Sequence, residues 1–156
     1  MDRLIMLLAT GFGLGRLPKA PGTWGSLAAL PLQFFLLGLS ELAYGLTLGG
    51  FIILAIFIAG SAEKILDRAD PEVVVIDEVA GMLIALIAVP ATPTAWLTAF
   101  ILFRFFDILK PFPIRLIDRR CHGGLGIVLD DLLAGLYALG CIHLLIYSFP
   151  AIIGCN

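Results

Sequence analysis

Charge in this 156-residue chain is confined to four places. Residues 1–19 hold four charged side chains, Glu41 stands alone, 63–78 hold eight and 104–131 hold nine; these are all ten basic and twelve acidic residues. The stretches 20–40, 42–62, 79–103 and 132–156 carry none. A bilayer core about 30 Å thick needs roughly 20 mostly apolar helical residues to cross it, and every stretch reaches that length. One such stretch is compatible with a soluble core, but four are not. The residues are 60% hydrophobic and 14% charged, where soluble domains run at roughly 45–50% and 25%. With a mean hydropathy of +1.05, the chain reads as an all-α, polytopic integral membrane helix bundle forming a single domain over 1–156. The same composition excludes disorder, a secreted disulfide scaffold and a nucleic-acid binder, and a net charge of −2 gives no general pull toward polyanions.

The third charge-free stretch decides the topology. Pro90-Ala91-Thr92-Pro93 interrupts it, which is turn chemistry and a poor helix interior. A single crossing over 79–103 would leave five Lys/Arg on each side of the membrane. A hairpin turning at Pro90–Pro93 places all ten on one side, and the positive-inside rule selects that arrangement with a cytoplasmic N-terminus. The hairpin arms must then extend over about 73–89 and 95–109 to reach across. That draws Asp77, Glu78, Arg104 and Asp107 into the cytoplasmic edge of the membrane, where ionisable groups are costly and mark function. About five crossings are expected, near 22–40, 42–62, 73–89, 95–109 and 129–149, with Pro31 kinking the first. Asp2–Ala9 reads as a retained helix start, since no small-residue cleavage site follows it. Cys121, Cys141 and Cys155 have no metal-binding spacing and require no disulfide. His143 reads as a hydrogen-bonded packing residue, and Trp24, Trp96 and Tyr147 as interfacial anchors.

Four segments carry candidate chemistry. Gly11–Ser26 holds glycines among basic residues, which suits either a phosphate cradle or a tight entry into the first crossing; it has neither a Walker lysine nor a dinucleotide fingerprint. Asp77-Glu78 lies inside an apolar run, and neighbours about 100° apart on a helix would send one carboxylate to the bundle and the other to the headgroups; the plainer alternative is a solvated helix end. Arg104, Asp107 and Lys110 follow one helix face up to Pro111, as an ion-paired stripe or as a metal ligand between two phosphate clamps. Asp130-Asp131 follow a glycine-rich loop and open the last crossing, where carboxylates also suit the helix dipole. The hairpin brings Asp77, Glu78, Asp107, Asp130 and Asp131 to one depth on three helices. Five carboxylates there need protons, partners or cations, and oxygen ligands favour Mg²⁺, Mn²⁺ or Ca²⁺. With Arg104, Lys110 and Arg115 beside them, the combination fits a phosphate ester in the membrane.

Together these motifs resemble the bacterial phosphatidylglycerophosphatase A family, from about Gly11 to Gly135. The resemblance rests on Pro21-Gly22-Thr23-x-Gly25-Ser26, on Asp77-Glu78 with Gly81-Met82, on Phe103-Arg104 with Asp107 and Lys110-Pro111, on Pro113-Ile114-Arg115, and on Gly123-Gly124-x-Gly126-Ile127 with Asp130-Asp131. It implies an Mg²⁺-dependent phosphatase of the bacterial inner membrane, acting at the cytoplasmic face and converting phosphatidylglycerophosphate to phosphatidylglycerol. By the same resemblance Asp77, Glu78, Asp107 and Asp131 are catalytic and, with Asp130, hold metal. Arg104, Lys110, Arg115, Thr23, Ser26 and His122 contact substrate, Asp118 also fits, and Lys19 lies outside the motif. Water attack and a phospho-aspartate both remain open. The expected partners are the lipid substrate and the bilayer, with no nucleic acid and no obligate protein. The competing class is a small ion or proton transporter using the intramembrane carboxylates, although no charge lies in the outer half to make a path. A membrane scaffold is the third.

Overall fold

The computed structural model describes residues 1–149, all of whose regular elements are helical: α1 (Asp2–Ala9), a 3₁₀ turn (Leu14–Arg16), α2 (Pro21–Leu36), α3 (Glu41–Leu66), α4 (Ile76–Ala85), α5 (Pro93–Leu109), α6 (Ile114–Arg120) and α7 (Gly123–Ser148). Cys155 lies outside the described residues. Local chemistry sets most boundaries. Pro21 occupies the first turn of α2, where its missing N–H costs nothing. The Ser40 hydroxyl accepts from the Ala43 amide at the start of α3, and the Thr92 hydroxyl accepts from the Ala95 amide at the start of α5. The turn expected at Pro90–Pro93 is therefore also the start of a helix. Lys110, at φ +43°, ends α5 before Pro111. Pro31 lies inside α2 and leaves the Leu27 carbonyl without its usual intrahelical donor.

The outer surface is apolar. Leu46, Ile53 and Phe57 on α3, Ile101 on α5 and Leu144 on α7 are all more than half exposed, which suits a surface facing lipid rather than water. Among the described residues, α3 and α7, each of 26 residues, are long and apolar enough to cross a membrane by themselves. The shorter α2 and α5, of 16 and 17 residues, reach about 24–26 Å.

The expected arm over 73–89 takes a different form. Only Ile76–Ala85 is helical, ten residues or about 15 Å, roughly half the bilayer core. Before it, Val73–Val75 is not helical; the β-branched run follows Pro71 and favours extended backbone, and the Val75 amide donates to the Ala9 carbonyl at 2.8 Å. After it the chain turns through Leu86–Val89, with Ala88 at φ +54°. Irregular backbone at membrane depth survives only where protein covers it; Val74, Val75, Leu86 and Val89 are all buried. Gly11 and Gly15 serve this cover. A Cβ at Gly15 would strike the Val73 carbonyl, and one at Gly11 would sit 3.1 Å from the Val75 side chain. Gly11 and Gly15 thus pack a backbone crossing, which is the tight-entry alternative for this segment, while a Cβ at Gly13 would meet nothing within 4 Å.

The carbonyls at the far end of α4 are satisfied from its neighbours. Gln33 Nε2 on α2 donates to the Leu86 carbonyl at 3.4 Å, and Tyr44 on α3 donates to Gln33 Oε1 at 3.0 Å. His143 on α7 lies 2.9 Å from the Ile87 carbonyl, the packing role expected of it. Gln33→Leu removes the donor to Leu86 and strands the Tyr44 hydroxyl. The expected loss is about 1–2 kcal/mol, read as a lower melting temperature in mild detergent.

Candidate active site

The first turn of α4 carries Asp77 and Glu78, and neighbours cover it on both sides. A Cβ at Gly25 on α2 would lie 2.7 Å from Val75 Cβ, and one at Gly22 would meet the Glu78 carboxylate. On α7, a Cβ at Gly135 would collide with the Gly81 carbonyl. Such small-residue contacts let helix backbones approach closely. The two carboxylates consequently do not divide between bundle and headgroups as predicted. Asp77 is 6% exposed, Asp131 on α7 is 4% exposed, and one oxygen from each of Asp77, Glu78 and Asp131 lies within 4.8 Å of the others. Asp107, on α5, faces both Glu78 and Asp131.

Three carboxylates at that separation, two of them buried and Glu78 partly so, repel strongly unless a cation or shared protons neutralise them. Asp77 Oδ1 and Glu78 Oε2 are buried without hydrogen-bond partners. Converging, unsatisfied oxygens with no nitrogen or sulfur among them form a donor set for a hard divalent cation. Among the described residues no other group of His, Cys, Asp and Glu converges this way.

Arg104 borders the cluster from α5. Its Nη1 lies 2.6 Å from Asp107 Oδ2 and donates to Ser26 Oγ at 3.5 Å, while Ser26 Oγ donates to the Gly22 carbonyl at 2.7 Å. Arg104 Nε is buried and unpartnered, a cationic donor with capacity left for an anion. Thr23 lies half-buried in the first turn of α2.

The remaining predicted residues form a second group. Lys110 leaves the face shared by Arg104 and Asp107 because its backbone turns left-handed at the end of α5. Its Nζ donates to Asp118 Oδ1 at 2.8 Å and to Asp130 Oδ2 at 2.5 Å. Burial works against its charge, but the two carboxylates outweigh that and hold Lys110 above the ordinary lysine range. Asp130 and Asp131 do not open α7, which begins at Gly123; they lie two turns inside it. The glycines expected to form a loop are instead the first turns of α7, where a Cβ at Gly60 on α3 would sit 3.1 Å from the Gly124 amide. Asp130 and Asp131 therefore point in different directions, one toward Lys110 and the other toward Asp77 and Glu78. His122 is exposed at the start of α7 and Arg115 is exposed on α6. A small cavity of about 70 Å³ beside His122 is lined by Glu63, Asp70, Asp118 and Asp130. Glu63 and Asp70 belong to the charged segment 63–78 but carry no motif, so only tertiary contact reveals their place.

The family model for phosphatidylglycerophosphatase A matches residues 7–146. A phosphatidylglycerophosphatase A of Escherichia coli K12 is 39% identical over 92% of this chain and 84% of its own length. One from Haemophilus influenzae is 44% identical over 86% of this chain and 84% of its own. A Bacteroides thetaiotaomicron protein, provisionally named a phosphatidylinositol-3-phosphatase, is 39% identical over 86% of this chain and 89% of its own. No solved structure matches the chain significantly.

Proposed function

Because the chain belongs to the phosphatidylglycerophosphatase A family, we propose that it hydrolyses the terminal phosphate monoester of phosphatidylglycerophosphate, releasing phosphatidylglycerol and inorganic phosphate. The observation that carries this reading is the convergence of Asp77, Glu78 and Asp131 next to an arginine with an unpaired, buried donor. A carboxylate cluster alone would suit ion transport equally well; the adjoining anion donor favours a phosphoryl group. The enzyme acts in the cytoplasmic membrane of a bacterium, with the site at the cytoplasmic face on which all the Lys and Arg of the topology argument fall.

Asp77, Glu78 and Asp131 would hold Mg²⁺, with Asp107 alongside. The bound ion would neutralise the phosphoryl oxygens and make water a better nucleophile. Arg104 binds the phosphate through Nε, held in place by its ion pair to Asp107 and its hydrogen bond to Ser26. Asp107 has a second use, since a carboxylate beside the phosphate is placed to take a proton from an attacking water. Two of the three Lys110 N–H donors go to Asp118 and Asp130. Lys110 therefore orders α5, α6 and α7 around the site. Arg115 and His122, both exposed, are left to meet the headgroup from the aqueous side.

The test is phosphate release from phosphatidylglycerophosphate by the purified chain in mild detergent. Release that EDTA abolishes and Mg²⁺ restores is the expected result; release indifferent to EDTA removes the metal from the mechanism. Phosphatidylinositol 3-phosphate assayed in parallel measures headgroup preference, which one relative's name leaves open, and faster turnover of it would reassign the substrate. Cation flux without phosphate release would replace the enzyme with a transporter.

A further inference from the structure

A lipid whose phosphate reaches Arg104 must pass its acyl chains out between helices, and most seams around the site are closed. Gly22 and Gly25 bring α2 onto α4, Gly81 and Gly135 join α4 to α7, and Gly60 and Gly124 join α3 to α7, each too tight for an added Cβ without a shift. The seam between α2 and α5 is different. At its cytoplasmic end Arg104 and Ser26 meet across it. Beyond them lies a cleft of about 560 Å³ whose walls include Leu27, Leu30 and Phe34 of α2 and Trp96, Leu97 and Phe100 of α5. Leu30 stands one helical turn from Ser26, and Phe100 one turn from Arg104, on the same helix faces. The polar pair and the apolar walls are thus one continuous path about 10 Å long from Leu27 to Phe34. Phe34 and Leu97 are 67% and 59% exposed, so the cleft opens sideways into lipid along its length.

We propose that this α2–α5 cleft receives one acyl chain of the lipid whose phosphate monoester is held at Arg104. The assignment rests on the lipid phosphatase reading above for its headgroup and adds the route by which the substrate enters from the bilayer. Complementary charge selects the occupant: the cation at the closed end demands an anionic headgroup, and the walls demand a hydrocarbon chain. A bulk zwitterionic lipid satisfies the walls but offers Arg104 no phosphate monoester. Leu30 and Phe100, each one turn from the polar pair, set how deeply the first methylenes seat, so they govern discrimination between long-chain and deacylated substrates.

Two measurements test this on the full chain in phosphatidylcholine vesicles. In the first, a non-hydrolysable phosphonate analogue of phosphatidylglycerophosphate carries a photoreactive diazirine on one acyl chain, and phosphatidylcholine carries the same chain. The phosphonate lipid should label the segments 27–34 and 96–100 at least about fivefold more than the phosphatidylcholine probe, and Arg104→Ala should abolish that preference. In the second, Leu30→Trp fills the cleft, and the ratio of kcat/KM for dioleoyl substrate to that for deacylated glycerophosphoglycerophosphate should fall about tenfold. Equal labelling by both probes means that the cleft holds bulk lipid only and overturns the proposal, as does an unchanged ratio in Leu30→Trp. If the wild type releases no phosphate from any substrate, the phosphatase reading fails, while the labelling preference still decides the cleft.

Discussion

Asp131→Asn is expected to lower kcat for phosphatidylglycerophosphate on the order of a thousandfold while leaving a folded protein. Asparagine keeps the size of the side chain and one oxygen but removes the charge that a hard cation requires. Of the carboxylates in the cluster, Asp131 is the one on α7, and it lies within 4.8 Å of Asp77 and Glu78, so its loss breaks the donor set rather than trimming its edge. The metal-free fold should not suffer. Removing one of three mutually repelling carboxylates relieves Coulombic strain, and the melting temperature in EDTA should stay level or rise. Asp130→Asn is the informative companion. Its carboxylate pairs with Lys110, and the expected effect is a smaller fall in kcat accompanied by lower stability. Turnover kinetics with thermal melts of both variants, with and without Mg²⁺, would check this. Near-normal kcat for Asp131→Asn would contradict the metal-holding role.

Gly81→Ala should damage fold and activity together. A Cβ there would lie 2.5 Å from the Asp131 carbonyl and 2.7 Å from Phe103 Cε2. The first of these is backbone, which cannot rotate away, so α4 and α7 must separate. Overpacking of this kind costs about 1–3 kcal/mol. The separation also moves Asp131 away from Asp77 and Glu78, and a displacement of about 1 Å in a site can cost a hundredfold in rate. Gly49→Ala on α3 is the matching control, because nothing lies within 4 Å of its Cβ position. It should leave melting temperature and kcat unchanged, showing that the effect at Gly81 comes from its position rather than from replacing glycine.

Several features were legible residue by residue. Asp77-Glu78 within an apolar run pointed to a site because a buried charge needs a reason wherever it falls. Pro90–Pro93 marked a turn and Pro111 the end of α5, since proline acts on its own backbone. Other features depended on neighbours remote in sequence. Gly11–Gly15 suited either a phosphate or a tight entry, and Gly11 and Gly15 pack against Val73–Val75, some 60 residues away. Lys110 continued the spacing of Arg104 and Asp107, but a left-handed turn at one residue redirects it to Asp118 and Asp130. The arm over 73–89 is expected to cross fully because a hairpin must reach across the bilayer, whereas its carbonyls at Leu86 and Ile87 are satisfied by Gln33 and His143. With those partners supplied, α4 stops after ten residues without leaving polar backbone exposed to lipid.

By itself the sequence determined that this chain is helical, apolar enough over long helices to suit a membrane, and charged only in a few clumps between them. Those are consequences of composition and of where charges and prolines fall, and each acts locally. The tertiary structure decided that Asp131 joins Asp77 and Glu78 while the adjacent Asp130 is held by Lys110. Successive helix residues point about 100° apart, so which of two neighbours faces a site depends on the rotation of the whole helix. Here that rotation is set by glycine contacts between α4, α7 and α3, which come into being only once the helices have packed.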